Sequence, residues 1–140
     1  MPPISVCFLD ANRTFRQLVV QVLKEHFSAD ITLLGTGDTW PLPSAPSVVP
    51  EVLLLGLGAE GLVNPQLIAT LQTALPKVPI IVLGHLDDTA YRVAALTAGA
   101  AAFVSKETLG VELIPVLRRL TSNHQGALPA YEQPTLSAAD

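Results

Sequence analysis

The residues of this chain best suited to chemistry lie at the carboxyl ends of apolar runs. Asp10 follows the run Ile4 to Leu9, and Lys106 follows the run Ala101 to Ser105. If those runs are strands of one parallel sheet, the carboxylate and the ammonium reach a common crevice and can pair across it. Unpaired and partly buried, Lys106 would need a backbone carbonyl or water instead. His85, Asp87 and Asp88 follow the run Pro79 to Leu83. Such a cluster can contribute metal ligands, but two or three on one loop are equally a solvated turn that caps the next helix, and we read it so. Gly56-Leu57-Gly58-Ala59-Glu60-Gly61 has the form G-x-G-x-x-G, which lets a backbone approach a pyrophosphate at a helix N-terminus. That mechanism needs the helix to open within the motif, whereas Asn64-Pro65 starts it later. The acidic residue expected about 20 positions on is also missing, the chain there reading Pro76-Lys77-Val78-Pro79. The glycines are therefore loop residues. Cys7 is the single cysteine, which excludes an internal disulfide and a multi-cysteine zinc site, and it reads as a small buried hydrophobe. No Ser/His/Asp or Cys/His arrangement offers a nucleophile with its base. No enzyme activity, metal or cofactor is expected.

The elements that must position these residues alternate along the chain. Ile4 to Leu9 has the composition of a buried strand. Asp10 or Asn12 caps a helix whose apolar face is Phe15, Leu18, Val19, Val22, Leu23 and Phe27. Ile31 to Leu34 is a second strand ending at Gly35. The stretch Thr36 to Pro50 carries prolines at 41, 43, 46 and 50, which predicts loop where a second helix would stand, with Trp40 as a plug on the core. Glu51 to Leu57 is the third strand. Asn64-Pro65 opens a helix bearing Leu67, Ile68, Leu71 and Leu75. Pro79 to Leu83 is the fourth strand, and Asp87 or Asp88 caps a helix that Gly99 ends. Ala101 to Ser105 is the fifth strand. A last helix runs from about Gly110 to Leu120, with Pro115 predicting a late start or a kink. Residues 1–122 then form one domain and 123–140 a linker or disordered tail. Alternation of this kind predicts a flavodoxin-like α/β sandwich of three layers. Its five-stranded parallel sheet has the order 2-1-3-4-5, with the second helix eroded.

With 140 residues the chain suffices for one sizeable core. Hydrophobic residues make up 49 % and charged residues 14 %, and the mean hydropathy is +0.45. The apolar runs nevertheless have strand length, far below the ~20 residues of a spanning helix. Met1-Pro2-Pro3-Ile4 lacks the basic start of a signal peptide, so a cytoplasmic location is expected. Net charge is −4 with eight dispersed basic residues, which gives no electrostatic footprint for nucleic acid. A surface so short of charge exposes apolar area, a frequent mark of a protein partner.

Three stretches resemble the receiver domains of bacterial response regulators, closest to those attached to helix-turn-helix output domains. They are Leu9 to Arg16, Pro50 to Leu57, and Pro79 through Lys106 with its run Ala98-Gly99-Ala100-Ala101-Ala102-Phe103-Val104-Ser105-Lys106. Glu112-Leu113-Ile114 and Arg118-Arg119 extend the likeness into the last helix, so that it covers Ile4 to Leu120. In that family a pair of acids after the first strand helps hold Mg²⁺ beside an acceptor aspartate. Here the pair is Asp10-Ala11 and the acceptor position is Gly56. The family's Ser/Thr after the fourth strand corresponds to Gly84, its lysine to Lys106 and its aromatic switch position to Phe103.

Without a carboxylate at position 56 no acyl phosphate can form, and without the second acid Mg²⁺ is weakly held. The resemblance thus implies a pseudo-receiver, a two-component relative that signals without phosphorylation. Its expected route is protein–protein contact, by dimerisation or by control of an output domain, a transcription regulator being one case. The family's fourth helix, fifth strand and fifth helix imply an interaction face drawing on Tyr91, Arg92, Ala95, Thr97, Ala102, Val104, Val111, Arg118 and Arg119. The tail from Asn123 would lead to a DNA-binding domain in a longer parent chain, this domain binding neither nucleic acid nor membrane itself. The alternative is a small-molecule sensor. Ala11, Gly56 and Gly84 would leave space at the strand ends, and Lys106 would complement an anionic ligand there.

Overall fold

Ile4–Leu9 (β1), Ile31–Gly37 (β2), Val52–Gly56 (β3), Ile80–Gly84 (β4) and Ala102–Ser105 (β5) pair in parallel in the order β2-β1-β3-β4-β5. This is the expected flavodoxin-like sheet, seen in a computed structural model that describes residues 2–42, 49–58, 62–85 and 88–125. Four helices cover it: Arg13–His26 (α1), Pro65–Ala74 (α2), Thr89–Ala98 (α3) and Leu109–Gln125 (α4). Successive side chains of a strand point to opposite faces, and here both faces are covered, which explains the unbroken apolar runs. Val6 and Phe8 meet Phe15, Val19 and Leu23 of α1 and Leu113 and Leu117 of α4. Cys7 and Leu9 point the other way, into a core with Leu53, Ile68, Leu71, Ala95 and Phe103.

The helix ends follow their capping residues. Asn12 Oδ1 accepts the Phe15 amide at 3.1 Å, Asn64 Oδ1 that of Leu67 at 3.1 Å, and Asp88 Oδ1 that of Ala90 at 2.7 Å. Pro65 occupies the first turn of α2, where its missing N–H costs nothing. Gly99 ends α3 at φ 116°, a left-handed conformation open to glycine.

Departures from expectation have local causes. Leu18 is 47 % exposed, so the buried stripe of α1 is narrower than its apolar pattern. Strand β2 continues to Gly37, because its pairing with β1 runs on to Leu9. Val6 pairs with Leu33 and Cys7 with Gly35, leaving Leu34 as the extra residue of a bulge. Beyond that bulge Gly35 and Gly37 turn toward the face that a second helix would cover. Leu42 lies there instead: a Cβ at Gly35 would come within 2.7 Å of its Cδ1, and one at Gly37 within 2.8 Å of its Cδ2. Trp40 is half-buried on the same core, as expected, and Leu42, fully buried, is the deeper plug in the chain's covering of the sheet. Prolines 43 and 46 lie outside the described residues, and among those described no helix joins β2 to β3.

Helix α4 does not start late at Pro115; it opens at Leu109 and contains the proline. Thr108 fixes the start, its carbonyl accepting the amides of Val111 at 3.0 Å and Glu112 at 2.9 Å and its hydroxyl donating to Glu112 Oε1 at 3.0 Å. The buried Leu109, Leu113 and Leu117 anchor the helix, and Pro115 sits on its exposed side. The helix continues to Gln125, three residues past the expected boundary at 122, and 126–140 lie outside the described residues.

We expect Leu42→Ala to cost about 3 kcal/mol in denaturant unfolding, because glycines beneath it cannot fill the void. Trp40→Ala should cost less; an equal or larger loss there would make Trp40 the main plug.

Candidate functional site

Parallel pairing gathers Asp10, Gly56, Gly84 and Lys106 at the carboxyl ends of their strands. Asp10 is 1 % exposed. Its amide donates to the Gly37 carbonyl at 3.0 Å and its own carbonyl accepts from Arg16 Nη1 at 2.6 Å. Its Oδ1 accepts the Asn12 amide at 2.8 Å, while Oδ2, equally buried, completes no hydrogen bond. The carboxyl group lies against Gly56. A Cβ at position 56 would stand 2.8 Å from Asp10 Cβ and closer still to Cγ and Oδ2. Real Cβ contacts are never so short, so Asp10 in this position excludes every side chain at 56.

A second glycine is filled in the same way. A Cβ at Gly84 would lie 2.5 Å from Phe103 Cζ and 2.9 Å from Cε2. The Phe103 residue is 2 % exposed, its ring packed against Gly84. Arg92 holds it from outside, its guanidinium 5.3 Å from the ring centroid and its Nη1 donating to the Phe103 carbonyl at 3.1 Å. The Lys106 amide donates to the Gly84 carbonyl at 2.8 Å, closing the end of the β4–β5 pair. The space expected from these glycines is therefore taken by Asp10 and Phe103.

Lys106 and Asp10 do not pair. The lysine side chain is exposed and has no ion pair among the described residues, because β3 and β4 separate its strand from β1. The charges acting on Asp10 are His85 and Arg16. His85 rests on Phe15, ring centroids 4.2 Å apart, and Arg16 forms an ion pair with Asp38. Burial pushes the Asp10 carboxyl above its usual range; the Asn12 and Gly58 amides, then His85 and Arg16, oppose it. Gly58 favours the charge without completing a hydrogen bond to Oδ2.

Mg²⁺ does not fit these residues. Ala11 and Gly56 offer no ligand, Asp10 is spent on Asn12 and Gly56, and among the described residues no three His, Cys, Asp or Glu can share a metal. Asp88 serves as a helix cap, and Asp87 lies outside the described residues. A cavity of about 290 Å³ remains beside Gly56, between β3 and α2, and Asp10 and Asp38 are its charged lining residues among those described. Lys106 does not line it. The sequence reading missed Arg16, Asp38 and Leu42. The pairing of a small residue with a large retained neighbour, Gly56 with Asp10 and Gly84 with Phe103, was the available signal.

The expected interaction face is only partly a surface. Ala95 and Val104 are fully buried and Ala102 is 7 % exposed, so none of the three can be a contact residue. Ala95 belongs to the core between α3 and the sheet, whereas Ala102 and Val104 face the opposite core with Leu113 and Leu117 of α4. Tyr91 packs against the core. Arg118 pairs with Asp30 at 3.0 Å, away from the face, and Thr97 lines a separate cleft with Val93. Arg92 and Arg119 do come together, with Leu96, Val111 and Pro115, around a groove of about 530 Å³ floored by Phe103. Leu96 is 48 % and Val111 79 % exposed.

Asp10 gives a test with a definite sign. Its folded-state pKa is raised, so the native protein keeps a proton that the unfolded chain releases above about pH 4. Its contribution to stability therefore falls as pH rises through the folded-state value, and the full cost remains above it. We expect Asp10→Asn to gain on the wild type between pH 4.5 and 7.5 and to exceed it at pH 7.5 by about 1 kcal/mol in urea unfolding. A wild-type advantage that grows with pH would mean that neighbours stabilise the carboxylate.

No protein-family model matches the sequence, and no curated protein matches it. Solved structures do. The isolated receiver domain of RcsB from Salmonella enterica serovar Typhimurium aligns with a TM-score of 0.66 at 21 % identity, over 86 % of this chain and 89 % of that one. The signal receiver domain of the response regulator NarL from Mycobacterium tuberculosis aligns at 0.62 and 23 % identity, over 90 % of this chain and 99 % of that one. Against a longer RcsB chain from Salmonella typhimurium the TM-score is 0.66 at 20 % identity, and the alignment covers 88 % of this chain but only 61 % of that one. The chain has the fold of a response-regulator receiver domain, CheY-like in strand order.

Proposed function

We propose that this chain is a regulatory module of signal transduction that works by protein–protein contact and without aspartyl phosphorylation. One observation carries the reading: Asp10 fills the place from which an acceptor side chain would project, so position 56 holds neither a nucleophile nor room for one. Asp10 does not replace it, since among the described residues no set of three metal-ligating side chains surrounds it to hold the Mg²⁺ that aspartyl phosphorylation uses. With no nucleophile and base together among the described residues, we read the module as a non-enzymatic one.

The contact surface in this reading is the groove between α3 and α4 over β5. Exposed Leu96 and Val111 supply apolar area, and Arg92 and Arg119 flank it, a composition common at interface centres. Its floor is the back of Phe103, so the fixed ring holds the groove in one shape. A second copy of the chain is the partner we favour. RcsB, similar in fold, has been seen as two dimers bound to two parallel DNAs. By that analogy a longer parent chain would carry a DNA-binding output domain, and the module would act in the cytoplasm. No helix among the described residues is long and apolar enough to cross a membrane.

Sedimentation across a concentration series tests this. We expect a dimer, and Val111→Asp, which alters a side chain 79 % exposed, should weaken it at least tenfold without unfolding the domain. A wild-type monomer at high micromolar concentration, with no partner in pull-down, would overturn the proposal.

A further inference from the structure

The cavity beside Gly56 has an unmet requirement. Among the described residues its walls are mainly aliphatic side chains, Leu57, Leu67 and Ile68 among them, and its charged groups are Asp10 and Asp38. Asp38 is matched by Arg16. Asp10 has no ion pair among the described residues, and its Oδ2 lacks a partner in either protonation state. As a carboxylate oxygen it lacks a donor, and as a hydroxyl it lacks an acceptor. A buried polar atom in this condition costs free energy until something meets it.

We propose that this cavity binds a primary ammonium group carried on a short alkyl chain. The ammonium donates to the Asp10 carboxyl, and the alkyl chain lies along Leu57, Leu67 and Ile68. An ammonium brings both the missing donor and the missing charge, and a charge-assisted hydrogen bond is the strongest kind available here. Rotation about the soft terminal torsion of Asp10 presents its oxygen to the cavity. Asp38, with its side chain 66 % exposed, adds negative charge at the mouth and favours entry of a cation. The volume, about 290 Å³, admits a ligand of a few heavy atoms and no more. Two sources offer this chemistry, a free alkylamine and the lysine side chain of a partner.

The test is a titration of the ¹⁵N-labelled full chain at constant ionic strength with butylammonium chloride, 1-butanol, sodium butyrate and a short lysine-containing peptide. The reporters are the amides of Asp10, Asn12, Gly56 and Gly58. We expect saturable shifts with butylammonium, about tenfold weaker binding of butanol and butyrate, and a similar loss in Asp10→Asn. Saturation by either ammonium probe supports the site, and the tighter of the two assigns the source. Butanol binding as well as butylammonium, an unchanged affinity in Asp10→Asn, or no saturable shift with any probe would overturn it. The regulatory reading is judged separately, by the association state.

Discussion

The Asp10 side chain and a side chain at position 56 cannot coexist, and the rest of the strand-end geometry follows from that exclusion. With Gly56 in place the carboxyl group turns inward, accepts the Asn12 amide and lets Asn12 cap α1. The carbonyl of the same residue takes Arg16, which in turn holds Asp38 at the end of β2. One residue, through its backbone and its carboxyl group, thus ties together the ends of β1, β2 and β3 and the start of α1. The arrangement leaves a single oxygen unmet, and a buried atom of that kind is a cost that a neighbouring cavity can relieve.

The β4–β5 side obeys the same rule with different atoms. Phe103 stands over Gly84 as Asp10 stands over Gly56, so the space directly above each glycine is taken by a neighbour. Close packing favours this outcome, since an open void would forfeit contacts all round its lining. Arg92 ties the Phe103 carbonyl to α3, which makes the ring part of the wall between crevice and groove. The same economy of space appears at the edge of the sheet, where Leu42 over Gly35 and Gly37 does the covering of an absent helix.

Much of this was legible in the sequence. Each of the five apolar runs became a strand, four of them to within a residue or two at their ends and β2 three residues longer, and Asn12, Asn64, Asp88 and Gly99 set the helix termini expected of them. Periodicity and capping are local, so one segment suffices to read them. What escaped depends on contacts between segments. That Asp10 would face Gly56 and leave Lys106 in solvent is decided by strand order and rotamer, neither of which leaves a local trace. The bulge at Leu34, which turns Gly35 and Gly37 toward Leu42, is a register effect of the same kind. Ala95 and Val104 were misassigned to the surface because small apolar residues suit a core and an interface equally well.

The central claim, that the crevice is closed to phosphoryl chemistry by its own side chains, is tested most directly by the amide spectrum of the ¹⁵N-labelled chain with and without Mg²⁺ and beryllofluoride. The account predicts unchanged resonances for Gly56, Gly84, Phe103 and Lys106. Saturable shifts at these four positions would contradict it, and would show that Asp10 or another group opens to accept a phosphoryl mimic.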